Sequence, residues 1–143
     1  MRSATTYAMT TLALLALCGV ETARAQVRAK ADVSCRPAEE LQYDCVIKLA
    51  NSRTGEPLSG VTLTVGADMP SMAGAHNVRP VTATEEPDKG SYRARIALEM
   101  HGDWALRLDI SGVVRDRVIK LLRFESDRVG EATPAPPPAR HRH

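Results

Sequence analysis

Apolar residues recur at every second position through the middle of the chain, and that period decides the fold class. Val61, Leu63 and Val65 alternate with Thr62 and Thr64; Tyr92, Ala94, Ile96, Leu98 and Met100 alternate with Arg93, Arg95 and Glu99; Trp104, Leu106, Leu108 and Ile110 alternate with Arg107 and Asp109. A side chain that meets the core once in two residues belongs to a half-buried strand, because a helix needs apolar positions three and four apart. Cys45, Ile47 and Leu49 give a fourth strand, and residues 27–34, 78–84 and 114–124 give three more. In the last of these, Val118, Ile119, Leu121 and Leu122 would also suit a helical stripe, and the strand assignment there follows from its neighbours alone. Turn formers separate the runs, at residues 51–57, Ser59 with Gly60, residues 86–90, His101 with Gly102, and Ser111 with Gly112. The whole pattern predicts an all-β fold, an immunoglobulin-like antiparallel β-sandwich of about seven strands. Tyr92 opens a strand directly after a turn, where its hydroxyl can bond back to the loop as in a tyrosine corner.

The two ends of the chain read differently. Residues 1–25 have the three parts of a cleavable signal peptide: Arg2 as the positive start, an apolar run from Met9 to Val20, and small Ala23 and Ala25 before a cut at Gln26. That run, about a dozen residues, is short of the roughly 20 that a helix needs to cross a bilayer, and no later stretch approaches that length, so the mature chain is expected to have no membrane span. Cys18 would be the acylated residue of a lipoprotein signal, but the bulky Leu17 before it is unlike the small residue such sites prefer. Residues 128–143 are proline-rich, with too few apolar side chains to offset ordering entropy, and are expected to form a disordered tail. The folded unit is therefore expected over residues 26–127, exported to the periplasm.

Export bears on charge and sulfur. Without residues 1–25, Lys plus Arg falls from 19 to 17 and Asp plus Glu from 17 to 16, a net charge of +1. Such a balance carries no electrostatic footprint for nucleic acid. Only Cys35 and Cys45 remain after cleavage, and in an oxidising compartment an even pair across a short loop most simply forms a disulfide; a thiolate metal site would need more soft ligands nearby. No nucleophile elbow, phosphate loop, dinucleotide fingerprint, zinc-protease motif or paired-cysteine redox motif is present, and the expectation is a protein that is not an enzyme.

What stands out is the placement of sulfur and imidazole. The methionines beyond the signal are Met69, Met72 and Met100, and the histidines before the tail are His76 and His101. They fall in two short stretches, each at the end of an expected strand, where a sandwich places its loops. Thioether and imidazole suit copper, Cu(I) above all, whereas calcium wants carboxylate oxygen. Pro70 between Met69 and Met72 breaks a regular strand, so that segment should bend and could turn both sulfurs one way. Alternation would place Met100 on the face of Tyr92 and Leu98, and His101 on the other, so that one of the two reaches a given site. The competing reading is packing: methionine fills irregular gaps, and three of them could plug the open end of a sandwich.

The run from Ala67 to Met72, then His76, then Gly90 to Ala94, then Leu98 to Leu106 resembles the YtkA-like domain, grouped also as FixH-like, of exported and membrane-anchored bacterial proteins. The similarity spans about residues 41–111. It implies an immunoglobulin-like sandwich and an association with copper handling or the assembly of copper oxidases, with Met69, Met72 and His76 in one anchor and Met100 and Trp104 in the other. A cleavable signal without a retained anchor favours a soluble carrier over a protein held beside an oxidase. Two expectations follow: a periplasmic copper carrier or chaperone that passes the ion to an acceptor protein, or a metal-free interaction module docking a partner through the same loops. A carrier of another metal is the third.

Overall fold

The structure, a computed structural model, describes residues 26–76 and 78–132. The expected signal peptide and most of the expected tail lie outside the described residues. Nine strands follow in chain order: β1 (Ala29–Glu39), β2 (Gln42–Asn51), β3 (Thr62–Asp68), β4 (Val81–Thr82), β5 (Thr84–Glu85), β6 (Ser91–Ala97), β7 (Gly102–Ser111), β8 (Asp116–Phe124) and β9 (Val129–Glu131). They form two sheets, β1-β2-β6-β5 and β4-β3-β7-β8-β9, with antiparallel pairing at every contact between neighbours. Read as A, B, E, D against C′, C, F, G, with the short β9 added beyond G, this is the immunoglobulin-like arrangement that the alternation predicts.

Period-two burial produces the core. Tyr43, Cys45, Ile47, Leu49, Tyr92, Ala94 and Ile96 point inward from one sheet, and Leu63, Val65, Trp104, Leu106, Leu108, Ile110, Leu122 and Phe124 from the other. A one-residue slip of β2 against β6 would turn Arg93 and Arg95 into that interior, so the apolar set itself holds the register. The sheets meet tightly where the Tyr43 ring stands edge-on to Phe124 at 4.8 Å. Cys35 lies directly opposite Cys45 in the first hairpin, and the two are joined by a disulfide. This bond links neighbours in one sheet, unlike the intersheet bridge of antibody domains.

Several boundaries differ from expectation. The first strand was expected at residues 27–34 but runs on to Glu39; Pro37 is tolerated because β1 is an edge strand, and a register irregularity follows it. The strand expected at 78–84 is two short ones on opposite sheets, β4 against β3 and β5 against β6, so the chain crosses the sandwich at Ala83. In the 114–124 segment β8 pairs with β7 over nine positions, which excludes the helical stripe and leaves Ile119 and Leu121 on the outer face at 59% and 45% exposure. β9 pairs with the end of β8, so the sheet continues beyond residue 127 into the start of the expected tail. The Tyr92 hydroxyl does bond back, donating to the Leu58 carbonyl at 2.9 Å, but from the strand equivalent to E and not F.

Candidate metal site

Both sulfur-rich stretches are loops at the same end of the sandwich. The first leaves β3 at Asp68, whose carboxylate accepts hydrogen bonds from the Met69 amide at 3.0 Å and the Gly74 amide at 3.5 Å and so ties the loop to itself. Pro70 opens a single 3-10 turn over Pro70–Met72, where its fixed φ and missing N–H cost nothing. The Met72 amide then donates to the Met69 carbonyl and the Ala75 amide to the Met72 carbonyl, both at 3.0 Å. These successive turns part the two sulfurs: Met69 is 4% exposed and belongs to the core, whereas Met72 is 42% exposed. The expectation that both could face one way meets this opposite burial.

The second stretch leaves β6 after Ala97. The Leu98 amide donates to the Leu41 carbonyl at 2.8 Å, and strand alternation stops there. Met100 therefore does not share the buried face of Leu98; it is 41% exposed, and its carbonyl accepts the Trp104 indole N–H at 3.1 Å. His101 is exposed and lines a groove of about 360 Å³ with Pro37, Leu41, Tyr43 and Ser126, on the side of the β1–β2 turn.

The two loops interlock through three contacts. The Met69 methyl sits against Gly102, where an added Cβ would stand 3.3 Å from it. His76 Nδ1 lies 2.6 Å from Glu99 Oε2, and the His76 ring lies 5.2 Å from the Trp104 ring at a tilt of 57°. The His76 side chain is only 12% exposed, and among the described residues its buried Nε2 has no hydrogen-bond partner. His76, Glu99 and Trp104 thus form one group, Met69 packs against Gly102 at the start of β7, and Met72 and Met100 on the two loops are partly exposed. Glu99 was not singled out by the sequence; its only signal was a carboxylate adjoining the Met100–His101 pair.

Three carboxylates on or beside these loops are already engaged. Asp68 holds loop amides, Glu99 holds His76, and Asp103 is gripped by the two-pronged Arg123 guanidinium at 2.6 and 2.7 Å, whose hydrogen bonds lower its pKa against a smaller opposing effect of burial. Among the described residues no three His, Cys, Asp or Glu side chains converge as a metal cage.

A family model described as YtkA-like matches residues 29–109, from the start of β1 to near the end of β7. The chain belongs to the YtkA-like family. The match begins earlier than the span of about residues 41–111 expected from the motifs, because β1 is part of the domain, and both interlocking loops fall inside it. No curated protein and no solved structure matches the chain. No helix among the described residues of this YtkA-like protein is long and apolar enough to cross a membrane.

Proposed function

We propose that this YtkA-like protein is an exported, non-catalytic copper carrier that holds Cu(I) through His76 Nε2 and the thioethers of Met69, Met72 and Met100, and passes it to an acceptor protein. The observation that supports this most is the buried His76 Nε2, which among the described residues has no hydrogen-bond partner, in the place where the two methionine loops interlock. A buried nitrogen without a partner is a cost that a fold ordinarily avoids, and a bound ion would remove it. His101, turned toward the β1–β2 groove, is outside this set. Packing accounts for Met69 but not for Met72 and Met100, whose exposure leaves them free to exchange with an incoming donor. Transfer would then proceed by stepwise ligand exchange, without a change of oxidation state. Export to the periplasm is supported by the signal-like residues 1–25, by family membership and by the disulfide, which persists in oxidising compartments.

The test is Cu(I) loading of the mature protein under reducing, oxygen-free conditions, followed by desalting and metal analysis. Wild type should retain copper, and M69A/M72A and H76A should lose it. A wild-type protein that retains none, or variants that retain as much as wild type, would sink the proposal. Competition with Zn(II) and Ag(I) separates a copper site from one for another metal.

The exposed thioethers of Met72 and Met100 also favour a second reading, a metal-free docking surface, since methionine-rich surfaces adapt to partners. That reading requires a complex that forms equally well in the presence of a Cu(I) chelator.

A further inference from the structure

The surroundings of His76 are unequal at its two nitrogens, and that inequality selects one form of the ring. Nδ1 lies 2.6 Å from a carboxylate oxygen of Glu99, while Nε2 is buried and among the described residues faces no hydrogen-bond partner. In the tautomer with the proton on Nε2, the Nδ1 lone pair would oppose the carboxylate oxygen and an N–H would be buried without an acceptor. With the proton on Nδ1, the ring donates to Glu99 and Nε2 is left as a bare lone pair. The bond on one nitrogen thereby determines what the other can do.

We infer that Glu99 is the positioning residue of the copper site: it holds the proton of His76 on Nδ1 and so presents Nε2 as the ligand atom. This rests on the carrier reading above. Metal-binding histidines commonly donate their other ring N–H to a carboxylate, which fixes tautomer and ring orientation and raises ligand basicity. Two further features fit that role. Glu99 is itself half-exposed, yet it reaches across 23 positions to a mostly buried imidazole, and among the described residues His76 is its one side-chain partner. Trp104, fully buried and anchored through its N–H to the Met100 carbonyl, lies beside the imidazole at 5.2 Å. The carboxylate sets the direction of the lone pair, and the indole fills the space beside the ring.

The experiment combines long-range ¹H–¹⁵N NMR of metal-free protein with Cu(I) affinity by chelator competition, on wild type, E99A and E99Q. Metal-free wild type should show His76 protonated on Nδ1. E99A should lose that preference and weaken Cu(I) binding about 10- to 100-fold. E99Q, which keeps an acceptor for Nδ1–H, should restore the tautomer and part of the affinity. A thermal melt of each variant establishes folding, and because Glu99 is half-exposed, both variants should melt near wild type. A wild-type ring protonated on Nε2, or E99A with unchanged tautomer and affinity, would overturn the role of Glu99 and leave the carrier reading standing. Wild type that binds no Cu(I) would remove the carrier reading and this inference together.

Discussion

The two ends of the sandwich solve the same problem in opposite ways. At the end that carries the β2–β3 and β5–β6 connections, polar groups are met closely: the Tyr92 hydroxyl donates to Leu58, the Gly90 amide to Ser59 Oγ at 2.8 Å, the Gly60 amide to Glu85 at 2.9 Å and the Leu49 amide to the Gly90 carbonyl at 2.8 Å. At the other end Asp68 and backbone hydrogen bonds tie the first loop to itself, and the Leu98 amide ties the second to Leu41. The two loops meet each other, however, through a methyl group, rings and one imidazole–carboxylate pair, and among the described residues one buried nitrogen there has no partner. A small domain needs one firmly closed end to hold its register. The other can then keep groups whose bonding is incomplete, which a ligand requires.

The largest test of this contrast is Gly90→Ala. Gly90 has φ +74°, and an added Cβ would fall 2.6 Å from the Leu49 carbonyl oxygen, so backbone must move; the expected loss is about 3 kcal/mol, read as a fall in Tm of about 10 °C or more. Next comes the first hairpin, which approaches the methionine end. Replacing Cys35 and Cys45 together by Ala should cost roughly 2–3 kcal/mol by chain entropy for a bond across 10 positions, measured by denaturant unfolding. If copper retention survives that loss, the sulfur-rich end does not depend on the covalent clamp.

A smaller effect is expected for Tyr92→Phe, about 1 kcal/mol, from the carbonyl it leaves unpaired. The same change should alter the alkaline limb. Burial, with the neighbouring Glu85 carboxylate adding to it, raises the Tyr92 pKa, so its contribution is complete below the ordinary tyrosine value of about 10 and is lost as pH rises past it. The variant should therefore lose stability less steeply in that range; an unchanged slope would count against the buried hydroxyl. The least effect on stability, under about 0.5 kcal/mol, is expected for Met72→Leu and Met100→Leu, because both side chains are exposed. In those variants copper retention, and not Tm, should fall. A large drop in Tm would mean that these residues serve packing, and the contrast between the ends would fail.

Much of the fold is legible because its alternation is strict. From Tyr92 to Ile96 and from Trp104 to Ile110 every second residue is buried, and such a run has no helical equivalent. What the period leaves out is the partner. Nothing in residues 78–84 announces a change of sheet, since β4 and β5 have two residues each and periodicity needs more. β9 escapes for another reason: Val129–Glu131 adjoins a proline-rich run, and composition averages over the boundary. At the candidate site, residue types are visible but orientation is not. A 3-10 turn at Pro70 sends Met69 and Met72 to opposite environments, and a bend after Ala97 turns Met100 outward. The His76–Glu99 pair joins two loops across 23 positions, and no local pattern marks it.

Trp104 is the single tryptophan of the chain, and its ring is packed beside the imidazole. The protein therefore emits from one indole only, and that emitter sits beside the imidazole proposed to hold copper. A heavy soft cation stopping there should quench the fluorescence in step with occupancy. Loading and unloading could then be followed in real time on unlabelled protein, at a wavelength no other residue shares.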